Sequence, residues 1–178
     1  MSSPLLVLVR PPASGKTTVG TGVAKILGVA FRDTDADVED VAGVSVADLF
    51  VQHGEPHFRA LEERAVARAL AEHDGVVALG GGAVTSAATR ELLVAYGRGG
   101  GTVVWLDVDL ASAAKRVGLS RDRPILGVNP RAMLRQMLET RAPLYGEVAT
   151  LSVSTGGRSP EDVVAEVLAA LPGRTVAP

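Results

Sequence analysis

The octet Arg10-Pro11-Pro12-Ala13-Ser14-Gly15-Lys16-Thr17, set directly after the apolar run 5–9, constrains this chain more than any other feature. The run reads as a buried strand, and residues 17–27 read as a helix that stops at Gly28. A strand, a tight loop and a helix start in succession aim backbone N–H groups and the positive helix end at one point, where an anion fits. The phosphate-loop pattern G-x-x-x-x-G-K-[ST] is kept at Gly15, Lys16 and Thr17 and broken at its first position by Arg10. Gly15 allows close backbone approach to phosphate oxygens, Lys16 can neutralise β- and γ-phosphates, and Thr17 offers a hydroxyl to Mg²⁺. The alternative reading is an ordinary strand-to-helix turn that contains the same three residues. Arg10 has two readings of its own: it weakens nucleotide binding, or it turns harmlessly to solvent.

The rest of the chain extends this beginning into an α/β pattern. Further strand signals lie at 30–33, 76–79 and 102–108, with a weaker fifth at 150–154. Between them, Ser45 with Asp48 marks a helix start, and 56–73 carries Phe58, Leu61, Ala65, Val66, Ala69 and Leu70 on one face before Gly75 ends it. Asn129-Pro130 and Ser159-Pro160 each read as a cap followed by a first-turn proline. Such alternation predicts a parallel sheet with helices on both faces, and ligands beyond the carboxyl ends of its strands. With 178 residues, 47% apolar and 21% charged, one domain can bury its own core. No cysteine is present, which excludes disulfides and thiolate metal sites. The net charge of −2 lacks the basic footprint of a nucleic-acid binder. No apolar run approaches the roughly 20 residues of a membrane span, and the first run has no basic flank before it, so a cytoplasmic protein is expected.

Candidate chemistry sits at the predicted strand ends. Asp33-Thr34-Asp35 places two carboxylates on one side of an extended segment, suited to a Mg²⁺ water and to a hydroxyl under attack. The plain alternative is a helix N-cap, and both roles can coexist. Asp37, Glu39 and Asp40 read as a solvated helix face. Gly80-Gly81-Gly82 is entropically expensive unless a ligand or another segment must approach the backbone closely; a loose turn is the alternative. Arg59 could fork a carboxylate, or simply pair with Glu62 or Glu63 at i+3 and i+4. Arg121-Asp122-Arg123-Pro124 lies in a polar segment able to close over a nucleotide, or is only a charged loop. Arg141-Ala142-Pro143-Leu144-Tyr145 is expected to end a helix, with Pro143 forcing the break and Arg141 available to the helix dipole. His53, His57 and His73 lack metal-ligand spacing.

In this order the segments resemble the shikimate kinases, over roughly residues 5–155. The resemblance rests on the phosphate loop, Asp33-Thr34-Asp35, Gly54-Glu55 with Phe58-Arg59, Gly80-Gly81-Gly82-Ala83-Val84, Arg123-Pro124 and Arg141-Ala142-Pro143-Leu144-Tyr145. It implies a single α/β/α domain over 1–178 with a five-stranded parallel sheet, a lid at about 118–129, substrate-binding helices and a frayed tail from 172. It implies transfer of phosphate from ATP to the 3-hydroxyl of shikimate, in aromatic amino acid biosynthesis. Pro12, Ala13, Ser14, Gly15, Lys16, Thr17 and Thr18 would cradle the ATP phosphates, with Mg²⁺ held by Thr17 and, through water, by Asp33. Asp35 would orient or deprotonate the hydroxyl. Arg59, Arg141 and the glycines Gly80, Gly81 and Gly82 would secure shikimate, with Phe50 and Phe58 as walls of its pocket. Arg123 would stabilise the transferring phosphoryl group, and Arg116 would lie against adenine. Lys16, Asp35 and Arg123 thus carry catalysis. Ala13 is a second departure, since glycine is common there in the family. The expected partner is shikimate alone, bound by a monomer. Rival readings are a gluconate or nucleoside monophosphate kinase of the same architecture, and a nucleotide-binding module weakened by Arg10.

Overall fold

A computed structural model describes residues 3–11, 16–118 and 129–171. The loop positions 12–15, most of the expected lid and the tail from 172 lie outside these residues. Five parallel strands form one sheet: β1 (Leu6–Val9), β2 (Phe31–Asp33), β3 (Val76–Ala78), β4 (Val103–Asp107) and β5 (Leu151–Ser154), in the order β2-β3-β1-β4-β5. β1 is central, with Val7 opposite Val77 on one side and Val103 on the other. A strand covered on both faces needs no polar alternation, and β1 accordingly reads Leu-Val-Leu-Val, buried throughout.

The pleat divides that apolar run between two cores. Leu6 and Leu8 pack with Val19 and Val23 of helix α1 (Lys16–Leu27) and with Val163 and Val167 of helix α7 (Pro160–Ala169). Val7 and Val9 face the opposite side, where Val66, Leu93, Tyr145 and Val148 lie. These come from α3 (Val46–Glu72), α4 (Ala87–Arg98) and α6 (Pro130–Val148). Helix α2 (Thr34–Ala42) and the first half of α3 enclose a smaller cluster of Val38, Leu49 and Phe58. Helix α5 (Leu110–Gly118) follows β4.

The predicted caps are present: Ser45 accepts from Asp48 N, Asn129 from Ala132 N and Ser159 from Asp162 N. The helix expected from Pro56 onward is present, parted from the preceding one just before that proline. The run Val46–Glu72 is two helices parted by a kink at Gly54, where the backbone is not helical (φ 79°, ψ 169°). Pro56 then sits in the first turn after the bend, where its missing N–H matters least. Pro143 does not end its helix; α6 runs through it to Val148. Tyr145 and Val148 are buried beyond the proline, and their packing outweighs the lost backbone bond. Helices α4 and α5 were not anticipated, because each offers too short or too polar an apolar stripe.

One turn after the kink at Gly54, Phe58 joins the cluster under α2 and Arg59 reaches the loop after β3. A Cβ at Gly54 would meet only Pro56 Cδ, at an ordinary 3.8 Å, but the backbone lies in a region that side chains resist. Gly54→Ala is therefore expected to destabilise the fold by about 1–2 kcal/mol, read from the midpoint of urea unfolding.

Candidate active site

The loop after β3 is the centre of the site. Leu79 N still bonds Leu8 O at 3.0 Å, so the sheet holds the chain up to Gly80. Gly80 N then donates to the buried Thr34 hydroxyl at 3.2 Å, tying this loop to the start of α2. A short 3₁₀ turn, Ala83–Thr85, closes the loop through Ala83 N to Gly80 O and Thr85 N to Gly82 O.

The outer two glycines make room for side chains, and the middle one offers its carbonyl. A Cβ at Gly80 would collide with Asp35 Oδ1 and stand 2.5 Å from Glu62 Oε1. A Cβ at Gly82 would enter the guanidinium of Arg59. The carbonyl of Gly81 accepts both Arg141 Nη1 at 3.0 Å and the Tyr145 hydroxyl at 2.5 Å. No positive φ is involved at Gly80 or Gly82, so space and not backbone freedom requires glycine there. The triplet thus brings Asp35, Arg59, Glu62, Arg141 and Tyr145 around one stretch of backbone.

Arg59 is held on both sides. Its Nε and Nη2 reach Glu55 at 3.1 Å and its Nη1 reaches Glu62, while its Cζ lies 5.1 Å from the Phe58 ring centre. Phe58 is buried and sits 4.6 Å from Phe50, ring centre to ring centre. Glu62 is only 2% exposed. Among the described residues its Oε1 has no hydrogen-bond partner. Burial pushes the Glu62 carboxyl above the usual carboxylate range against the pull of Arg59, and the nearby Asp35 pushes it further while Arg141 opposes. Burial by itself would lower Arg59; Glu62 and Glu55 more than offset it, and the guanidinium ends above its ordinary value. Tyr145 is pushed up to about 12 by burial, with Arg141 and Arg10 pulling the other way.

Asp33 ends β2 and caps α2, its Oδ1 accepting Asp35 N at 3.1 Å. Asp35 therefore belongs to the first helical turn and not to an extended segment, yet both carboxylates remain at the carboxyl edge of the sheet. The expected solvated face of α2 is only partly so. Asp37 pairs with Arg32 at 2.7 Å, both largely buried, and Glu39 Oε1 accepts Val46 N at 2.8 Å. These contacts fasten α2 to its neighbours.

On the nucleotide side, Lys16 opens α1, followed by Thr17 and Thr18, both exposed. The first turn of α1 holds no acidic residue, so its positive end is left for an outside anion. Beside it lies a cavity of about 240 Å³ lined by Thr18, Val19, Arg116, Thr155, Arg158 and Pro160, among others. Arg116 is fixed there by Thr155, through Oγ1 at 3.2 Å and O at 2.8 Å. Pro12, Ala13, Ser14 and Gly15 lie outside the described residues, as does Arg123 with most of the lid expected over 118–129. Arg10 does not turn to solvent: it is 2% exposed.

A family model described as shikimate kinase matches residues 12–172. The shikimate kinase of Salinispora arenicola is 54% identical over 169 residues, 95% of this chain and 98% of that protein. That of Saccharopolyspora erythraea is 55% identical, covering 93% of each. The chain belongs to the shikimate kinase family. The solved shikimate kinase of Acinetobacter baumannii in complex with shikimate superposes with a TM-score of 0.85 at 34% identity, covering 94% of this chain and 92% of that one. A gluconokinase from Sinorhizobium meliloti reaches only 0.60 at 24% identity over 96% and 91%, a likeness of fold alone. The shikimate kinase pattern was legible for Asp35, Arg59, Arg141 and the glycines. The pairing of Arg59 with Glu62, expected from their i+3 spacing, is present, whereas Glu55, Thr34 and Tyr145 had no assigned part, although Tyr145 stands one turn after Arg141.

Because Glu62 must be ionised to hold Arg59, acid should loosen the clamp early. As pH falls through the raised Glu62 value, KM for the acidic acceptor is expected to rise, starting above the usual carboxylate range. Fold stability should move oppositely for this group. A raised carboxyl binds its proton more tightly when folded, so its contribution is present at low pH and lost as pH rises through the folded value. Glu62→Gln should raise KM several-fold at neutral pH and flatten that acid limb, as measured by steady-state kinetics across pH 5–8.

Proposed function

We propose that this chain transfers the γ-phosphoryl group of MgATP to the 3-hydroxyl of shikimate, releasing ADP and shikimate 3-phosphate, as a cytoplasmic monomer serving aromatic amino acid biosynthesis. The observation that carries the reading is the convergence of Arg59 and Arg141 on the Gly80–Gly82 loop, beside Asp35 and at the same sheet edge as the phosphate loop. Two guanidiniums at a glycine loop suit a compact acid: planar forks match a carboxylate, and the absent side chains let Arg59 and Asp35 come up against the loop backbone.

The remaining roles follow from position. Asp35 would orient the attacking hydroxyl and receive its proton as the new O–P bond forms and the bond to the β-phosphate oxygen breaks. Lys16, with the backbone of Pro12, Ala13, Ser14 and Gly15, would cradle the phosphates. Arg123 would supply charge to the group in flight. Arg116 would border adenine in the cavity beside α1. Thr17, in the first turn of α1, and Asp33, at the end of β2, are hard oxygen donors, and a cation that keeps most of its waters needs no more than these; Mg²⁺ bound there would neutralise phosphate charge. Glu62 and Glu55 hold Arg59, and Tyr145 and Arg141 hold Gly81, so the acid clamp is largely built before substrate arrives.

Coupled ADP release, with shikimate, gluconate and AMP offered separately, tests the reading. Turnover is expected with shikimate alone. Turnover with gluconate or AMP instead would transfer the chain to another small-molecule kinase class, and silence with all three would favour a bare nucleotide-binding module. Lys16→Ala is expected to lower kcat by a hundredfold or more. Asp35→Asn and Arg59→Ala should depress transfer steeply while ADP affinity, read by calorimetry, stays near that of the parent.

A further inference from the structure

Arg10 occupies the place where the phosphate-loop pattern has its first glycine, and the fold takes its whole side chain inside. It directly follows Val9, which stands in register with Trp105 of β4. Trp105 stacks on Tyr145 with ring centres 5.8 Å apart, and Pro11 lines the same cavity as both rings. On its other side, Leu79 is bonded to Leu8, so the triglycine loop departs alongside residue 10. Arg10 therefore lies where the nucleotide loop meets the node made by Tyr145, Arg141 and the Gly81 carbonyl.

We propose that Arg10 is a positioning residue for the acceptor site: its buried guanidinium braces the Tyr145–Gly81–Arg141 node, and through that node the carboxylate clamp. The inference rests on the shikimate kinase reading and deepens it. An arginine keeps its charge in any protein interior, and a charge removed from water acts strongly on its neighbours. The positive charges of Arg141 and Arg10 both act on the Tyr145 phenol, against its burial. A cation near a phenol polarises the O–H and strengthens it as a donor, here to the Gly81 carbonyl that Arg141 also grips. Replacing a phosphate-loop glycine by arginine would on this account leave nucleotide affinity alone and tighten the hold on the acid.

Steady-state kinetics of Arg10→Met, Arg10→Gly and Arg10→Lys, with KM for shikimate and for ATP measured separately, test the proposal. Circular dichroism establishes that each variant is folded, and calorimetry with shikimate and with ADP repeats the comparison without turnover. The expected result is a five- to twentyfold rise in KM for shikimate in Arg10→Met and Arg10→Gly, ATP changing less than twofold, and substantial recovery in Arg10→Lys. On a Tyr145→Phe background, Arg10→Met should add little, since both act through one node. A shift confined to ATP, an equal shift in both substrates, no shift at all, or full additivity with Tyr145→Phe would each overturn it while the kinase reading stands. A parent protein that neither binds nor phosphorylates shikimate would remove the kinase reading first, and this inference with it.

Discussion

Arg59 and Glu62 form an ion pair that the rest of the proposed acceptor site is arranged around. Taking two charges out of water is unfavourable unless geometry and further hydrogen bonds compensate, and a buried pair adds little net stability over apolar residues. The pair nevertheless stands at the foot of the α3 helix, with Glu55 on the other flank of the guanidinium and Phe58 beneath it. What the arrangement secures is direction. Arg59 is held against Gly82, and Glu62 reaches Gly80 beside Asp35. Neither approach tolerates a side chain on the loop, so the glycines and the ion pair are one structural decision.

The sheet makes this local chemistry possible. Its central strand pairs on both sides with apolar strands, and the two cores fix the carboxyl ends of β1, β2 and β3 to one another. From those ends come the phosphate loop, the Asp33–Asp35 segment and the triglycine loop. From the opposite core, α6 contributes Arg141 and Tyr145 to the same point. These segments share one edge because parallel strands all end there, a general property of open α/β sheets.

Much of this was legible in the residues themselves. Strand number, parallel class and the caps at Ser45, Asn129 and Ser159 follow from local patterning that tertiary packing did not oppose. Pro143 was misleading for the converse reason: a helix breaker by local rules, it lies in a helix whose next residues, Tyr145 and Val148, are needed in the core. The break near Gly54 was legible from Pro56, which opens the second helix, while the positive φ of the glycine was not. Within the site, Glu62 could be named only as an ion-pair partner of Arg59, and Thr34 only as the residue between two carboxylates; that both are buried could not be read. Their importance comes from burial, and burial of a single polar residue has no signature in a linear sequence. Arg10 is the sharpest case: its type was visible as a departure, its inward orientation was not.

The central claim is that a pair of arginines at a glycine loop recognises an acid. The most direct test compares kcat/KM for shikimate with that for its carboxamide, which keeps the ring and hydroxyls but removes the charge. Losing charge-assisted hydrogen bonds to two guanidiniums, at about 1.5–3 kcal/mol each, predicts a fall of roughly a hundredfold or more. Equal efficiency for the two compounds would contradict the account, because the clamp formed by Arg59 and Arg141 would then have no carboxylate to hold.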